Sequence, residues 1–439
     1  MTTLHIQGRH PVLASRRTPI APRGTIERFA LLAMAAAFAV QPALHPSGPG
    51  NSSPVDVVIL VSILAVAIWV ASNRLPMRGP YLLGESMIIV GGAIAGAVGP
   101  LPATALLAIV QDIILIVWCV AIVAVANDPA RLTLLAKAWA YSSTIAAAVL
   151  VAGSMAHITA ITGVVAREGN RALFTFGDPN YAASYWVLSI FVVYACKAPT
   201  SRTVRAGGYA LLLWALLLTE SNGGIVELAV GCGFLSFVSL LRRYGPAAAI
   251  TTLLLVAGAL TITLRTVPFS SVQAWARASG NPLLVNSLGR SNDSSSQRTQ
   301  LIHEALQLYE SDGFLGSGPA STKPLLTVRS YPYAKEAHND YLASLVENGP
   351  IGALGLLVII CSATWRATVV LRAPPSSRSA DSLPRPEGIV AALLAASVAA
   401  TYYEVLHFRF VWALLSMTAA LAFEARRPTL RSTDDGSTS

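Results

Sequence analysis

Ala337-His338-Asn339-Asp340-Tyr341-Leu342, followed shortly by Glu347-Asn348-Gly349-Pro350-Ile351-Gly352, closes the long polar segment 266–339 and opens onto the apolar run 350–371. A histidine therefore stands where an extramembrane loop meets a membrane helix. Histidine is the side chain best suited to move a proton near neutral pH. The chain around this boundary is almost entirely apolar, which narrows the chemistry available to it.

Of the 439 residues, 54% are hydrophobic and only 12% are charged, with a mean hydropathy of +0.58. A soluble domain carries about 25% charged residues, so this is an all-α integral membrane protein. Runs long enough to cross a bilayer fall near 29–44, 54–72, 81–98, 102–126, 137–158, 181–196, 207–220, 223–241, 246–264, 350–371, 388–405 and 409–425. That predicts about twelve transmembrane helices. The run 29–44 follows a basic segment and could imitate a signal peptide, but the many runs after it make it the first span. The expected organisation is a cytoplasmic segment 1–28, spans one to nine over 29–265, a large periplasmic loop over 266–340, spans ten to twelve over 341–425, and a cytoplasmic tail 426–439.

Charge orients the set. With the N-terminus in the cytoplasm, most of the 31 Lys and Arg fall in cytoplasmic segments, and the short outer loops are nearly free of them. Both termini are then expected in the cytoplasm, and two substantial loops, 159–180 and 266–339, on the outer face. The net charge of +9 does not indicate nucleic acid, because the basic residues are scattered over short loops between apolar runs. Cys119, Cys196, Cys232 and Cys361 lie in or beside apolar runs without CxxC or metal spacing, and read as buried free thiols.

The long outer loop has internal pattern. Gln297 to Glu310 reads as an amphipathic helix, with Leu301, Ala305 and Leu308 at three- and four-residue spacing and Ile302, Leu306 and Tyr309 beside them. Asp312-Gly313 ends it. Leu315-Gly316-Ser317-Gly318-Pro319 is a tight turn that permits close backbone approach to a ligand or to another segment. Arg277, Arg290, Arg298, Lys323, Arg329 and Lys335, with Arg167 and Arg171 of the other outer loop, could surround a polyanion or simply keep the loops soluble. Among polar groups inside spans, Asp112 is the best candidate for a proton or substrate path. Packing or water-lined positions are the expectation for Glu85, Gln111, Asp112 and Glu227. Gly92 and Gly96 read as a site of close helix packing.

Several of these segments together resemble the bacterial O-antigen ligase and Wzy-type polymerase superfamily. They are His338-Asn339-Asp340-Tyr341-Leu342 with Glu347-x-Gly349-x-x-Gly352, Phe176-Gly177-Asp178-Pro179-Asn180 before a span, Arg298 ahead of a helix, and Leu315-Gly316-Ser317-Gly318. The resemblance extends from Tyr141 to Ala425. The family often has Ser-Arg-Gly at an outer turn. Here the place reads Thr219-Glu220-Ser221-Asn222-Gly223-Gly224, with Asn222 where the arginine would be, and Arg171 or Arg167 could substitute.

The resemblance implies glycosyl transfer at the outer face of the bacterial inner membrane from a glycan on undecaprenyl pyrophosphate, without metal or cofactor. The acceptor would be lipid A–core in a ligase, or a second lipid-linked glycan in an O-antigen or exopolysaccharide polymerase. His338 is the candidate general base, since a hydroxyl is a poor nucleophile and a positioned base contributes roughly 10²–10⁴-fold. Arg298, Arg171 and Arg167 are candidates to stabilise the departing pyrophosphate. Asn339, Asp340 and Glu347 complete the candidate binding set; Asp340 or Glu347 could orient His338 or shape its pocket. The prenyl chain would lie among membrane lipids between spans. The rival from another class is a lipid-linked oligosaccharide flippase. It would need charge along a path through several spans, whereas the polarity here gathers on one face.

Overall fold

The computed structural model describes residues 24–46, 52–164, 170–281, 285, 289, 293–330, 339–374 and 377–426. Every regular element among them is helical. They are α1 Thr25–Ala39, α2 Pro54–Asn73, α3 Leu82–Val98, α4 Pro102–Val125, α5 Pro129–Met155, α6 Thr159–Thr162, α7 Pro179–Cys196, α8 Arg202–Leu218, α9 Asn222–Thr266, α10 Phe269–Ala278, α11 Asp293–Asp312, α12 Thr322–Ser330, α13 Asp340–Arg372, α14 Arg378–Ser382, α15 Glu387–Ala399 and α16 Arg409–Ala425. Each apolar run of the sequence becomes helix over most of its length. Pro54–Asn73, Pro102–Val125, Pro129–Met155, the α9 stretch and Asp340–Arg372 are long and apolar enough to cross a membrane, and Leu82–Val98 and Glu387–Ala399 are shorter apolar helices. Leu60, Leu64, Leu83, Leu254, Leu255 and Leu357 face outward. An apolar exterior of this kind suits a hydrocarbon solvent, and the chain is a multi-pass membrane protein.

Local signals set the helix starts. Ser53, Asp128 and Asp178 each cap a helix whose first residue is proline: α2, α5 and α7. The cap side chain takes up an orphan N–H, and proline at the first position lacks one to orphan. The Asp128 cap extends α5 back to Pro129, eight residues before the expected start at 137. Arg131 is therefore in the first turn of α5, paired with Glu27 and lying over the Trp69 ring at 5.0 Å. The runs 223–241 and 246–264 join into α9, broken at Gly245 (φ 82°), which precedes Pro246. The run 388–405 stops at Ala399; residues 400–408 form an irregular loop instead.

α7 and α16 lie at the centre, with nearly every residue buried. Trp139 of α5 stacks on Tyr185 of α7 and donates its indole N–H to Ser189 Oγ at 2.9 Å. Phe176 and Phe410 extend this aromatic core toward the helix ends. Arg409, 1% exposed, heads α16 and grips the Asp56 carboxylate with both arms of its fork, Nε to Oδ1 at 2.8 Å and Nη2 to Oδ2 at 2.6 Å. Asp56 also accepts from Ser53 N at 2.8 Å, so one carboxylate ties the start of α2 to the start of α16. Asp56→Ala leaves a buried guanidinium without this carboxylate. A loss of about 3 kcal/mol is expected, the low end for a broken buried pair, because Asp56 is partly exposed. Unfolding of the purified protein in detergent measures it.

Candidate functional site

The site is organised by a break in α13. Pro350 has no N–H, so the Val346 carbonyl loses the donor that would follow four residues later. Gly349 sits at φ 64°, ψ −170°, outside helical space. The Leu315–Gly318 turn fills the vacancy. Ser317 donates to Val346 O through its N–H at 2.9 Å and its hydroxyl at 3.2 Å, and Gly318 N donates to Glu347 O at 3.0 Å. The contact is backbone on backbone. A Cβ on Gly349 would stand 2.5 Å from Leu315 O, and one on Gly316 would stand 2.7 Å from Gly349 N. Of the two partners the turn could have had, it takes another segment of the chain. On the opposite flank Gly91 of α3 packs against Asn348 O and Gly352 N, and Gly92 and Gly96 meet Pro319. Gly92 and Gly96 thus serve close packing, as their spacing suggested.

Two acids two helical turns apart on α13 then hold two loops. Glu347 accepts from Ala320 N at 2.8 Å, from Thr322 N at 3.0 Å and from the Thr322 hydroxyl, capping α12 with a carboxylate. Asp340, 6% exposed, accepts from Val405 N at 2.8 Å and from Leu406 N at 3.3 Å, and its own N–H donates to Ala400 O at 2.9 Å. Asn339 is the cap of α13, taking Tyr341 N at 2.9 Å and Leu342 N at 3.1 Å. Leu301, Ala305 and Leu308 of α11 pack with Leu326, Ala343 and Val346, the face expected of the amphipathic helix.

Beneath these loops is a cavity of about 420 Å³. Its mouth is formed by Pro319, Ala320, Thr322 and the exposed Lys323, with Asp340 and Glu347 at its side and Glu404, Leu406, His407 and Trp412 opposite. Its depth is formed by Glu85 and Ile88 of α3 and Gln111 and Asp112 of α4. Glu85 precedes the end of α3 at Val98 by 13 residues, about 20 Å of helix. The lining is strongly acidic. Glu85, Gln111 and Asp112 thus line a cavity between helices, one of the two settings expected of them. Glu227 does not: it is buried between α7 and α9, where Ser184 donates to it at 2.7 Å. An apolar crevice between α13, α15 and α16, lined by Leu356, Ile360, Ala363, Leu393, Ala396 and Val411, shares Ile359 and Leu406 with the cavity.

Of the residues singled out from sequence, Asp340 and Glu347 line the cavity and Asn339 adjoins them. Arg171 is elsewhere. Its Nε donates to Thr219 O at 3.0 Å and its Nη2 to Asn180 Oδ1 at 2.8 Å, and Asn180 also accepts from Ser221 Oγ at 2.9 Å. A guanidinium thus arrives, from the other loop, at the turn where Asn222 stands in the arginine's place. That turn connects to the cavity wall through Tyr403 Oη, 3.3 Å from Ser221 Oγ, and Tyr402 Oη, which donates to Gly223 O at 2.9 Å. Arg298 belongs to α11. Arg277 donates to Gly289 O at 2.7 Å. His338 and Arg167 lie outside the described residues. The sequence reading did not single out His407, Glu404, Trp412, Ser344 or Asn348. The signal for His407 was present: it stands in the short junction 406–408 between the last two apolar runs, on the face assigned to the large loop.

Residues 207–357 match the protein-family model described as O-antigen ligase. The matched stretch contains the glycine turn, the whole segment 266–339 and the break in α13. No curated protein matches the chain.

Glu347→Gln leaves one acceptor oxygen where two served three donors, and turns an amide N–H toward a backbone N–H. A loss of about 1.5–3 kcal/mol is expected, as for hydrogen bonds to a charged group. It is measured as a lowered Tm in detergent, with faster proteolysis of the 313–330 segment. An unchanged Tm and cleavage rate would show that the cap does not hold α12.

Proposed function

We propose that this chain transfers a glycan from undecaprenyl pyrophosphate to an acceptor hydroxyl at the outer face of the inner membrane, in the manner of an O-antigen ligase with lipid A–core as acceptor. The observation that carries the reading is the family match across 207–357, together with a polar cavity walled by two residues of the quoted motif. The crevice beside the cavity supports it as well. An isoprenoid chain is apolar and would occupy the crevice, leaving its polar head near the shared wall at Ile359 and Leu406.

His338 is proposed as the general base that removes the acceptor proton as the bond to the anomeric carbon forms. The pyrophosphate leaves with the electron pair of the broken glycosyl–oxygen bond. Arg298, Arg171 and Arg167 are proposed to stabilise it by charge-assisted hydrogen bonds, with Lys323 at the cavity mouth. Asp340 and Glu347 act through the loops they hold, and Asn339 through the helix start that follows His338 in sequence.

The test uses purified protein in lipid with an undecaprenyl-pyrophosphate-linked repeat unit, with and without lipid A–core. Glycan on lipid A–core is the expected product. Longer lipid-linked chains without lipid A–core would make the protein a polymerase. Lipid-linked glycan crossing the bilayer with no new glycosidic bond would make it a flippase. His338→Ala should lower transfer at least 10²-fold at unchanged protein level. Full activity in that variant, with loss in His407→Ala, would move the base to His407.

A further inference from the structure

The deep end of the cavity is polar where a membrane bundle is expected to be apolar. Glu85 Oε1 is buried without a hydrogen-bond partner in a residue 2% exposed. Gln111 Nε2 and Ser344 Oγ are likewise buried and unpartnered. All three residues line the cavity, from α3, α4 and α13. Asn348, which also lines it, has its Oδ1 buried and unpartnered. A buried polar group without a partner costs about 1–3 kcal/mol, so four orphans on residues lining one space mark where a polar occupant fits.

The chemistry of the orphans selects the occupant. They comprise two acceptors, a donor and a hydroxyl that does both. A hydrocarbon chain would satisfy none of them. An anion would meet the carboxyl groups of Asp112, Asp340 and Glu347, which line the same space. Glu404 adds a further acid to the wall. A metal ion is not favoured, because the described residues hold no group of His, Cys, Asp and Glu side chains placed to ligate one. Sugar hydroxyls both donate and accept, and the volume is that of a small-molecule site. The wall opposite is held rigid, since Trp412 Nε1 donates to Leu406 O at 2.7 Å.

We infer that the floor of this cavity, at Glu85, Gln111, Asp112 and Ser344, is a binding subsite for one uncharged or amine-bearing sugar residue, and that it rejects sugars carrying carboxylate or phosphate. The inference rests on the glycosyl-transfer reading for its choice of sugar over other polyols. It adds a subsite inside the bundle, built on two helices before the matched stretch and on Ser344 within it, and a rule of selectivity by charge. The glycan would enter past Lys323 with its pyrophosphate outside the acidic wall.

The test is saturation-transfer NMR on the full-length protein in nanodiscs, with glucose, glucosamine and glucuronate as probes, run beside the transfer assay. Glucose and glucosamine should give signals at least tenfold above glucuronate. In Glu85→Gln/Asp112→Asn the glucuronate signal should rise toward that of glucose. Ser344→Leu, which fills the space from the other wall, should abolish all three and provides the check if the double variant does not fold. Equal signals from all three probes would overturn the subsite, as would no signal from glucose and glucosamine, a cavity filled by solvent only. A glucuronate signal unchanged in the double variant would overturn the charge rule. Transfer without selective binding would sink the subsite alone. Selective binding without any transfer would sink the glycosyl-transfer reading and leave the subsite standing.

Discussion

The architecture depends on a seam where backbones touch with almost no side chains between them. Gly349 and Pro350 break α13, the Gly316–Gly318 turn supplies the donors that the break requires, and Gly91 brings α3 against the same place. Close packing is what holds helices together in lipid, where apolar burial gives little net drive between them. The break also frees carbonyls that a regular helix would have used internally. In a medium without water those carbonyls must be met by protein, and the turn meets them. The position of the loop above the bundle is thus set by hydrogen-bond demand together with the apolar contact of Leu301, Ala305, Leu308 and Leu326 with Ala343 and Val346.

From that seam the cavity follows. Once Val346 and Glu347 are engaged through their carbonyls, the Glu347 carboxylate is aimed at the start of α12 and fixes residues 319–323. Two turns earlier, Asp340 holds the loop 400–408 in the same way. Each acid accepts N–H groups of a loop that has no regular partner. A loop that ends in such a cap is placed as firmly as a helix, which suits a site built where helices stop. The acids of the motif therefore act at one remove. They shape the space by the loops they hold, and the polar side chains at its depth come from α3, α4 and, through Ser344, from α13 itself.

The sequence was most legible where periodicity and capping spoke locally. The amphipathic helix around Leu301, Ala305 and Leu308 was predictable from spacing, and its buried face is the expected one. The apolar run 350–371 misled about the extent of α13. Here the helix begins ten residues earlier, at the Asn339 cap, and proline marks its break. Tyr402 to Val405 also misled, being apolar enough to read as span. Asp340 takes the Val405 N–H that a helix would have used, a contact 65 residues distant in sequence. Glu85, Gln111 and Asp112 lie on two helices whose pairing no local pattern announces, so their common cavity was beyond reach. The arginine of the outer turn was partly legible: its absence at Asn222 was plain, and Arg171 was a named substitute, but only the fold brings Arg171 to Thr219.

Charge gives the site a direction. The cavity is acidic and lies inside the bundle, whereas cationic side chains occur at its mouth, at Lys323, and at the neighbouring turn reached by Arg171. A molecule with an anionic head, a polar uncharged chain and an apolar tail could settle in only one way on such a surface. On the proposed reading, the tail takes the crevice at Ile359, the pyrophosphate stays with the cations, and the sugars are left to the acids. Attraction and repulsion then agree on one orientation, and agreement is what alignment requires: reacting groups held within about 3–3.5 Å derive most of their advantage from not having to search. An acidic wall is therefore not at odds with a pyrophosphate donor. By excluding the phosphates from the deep pocket, it would keep the scissile bond at the mouth, beside the stretch that begins at Asn339.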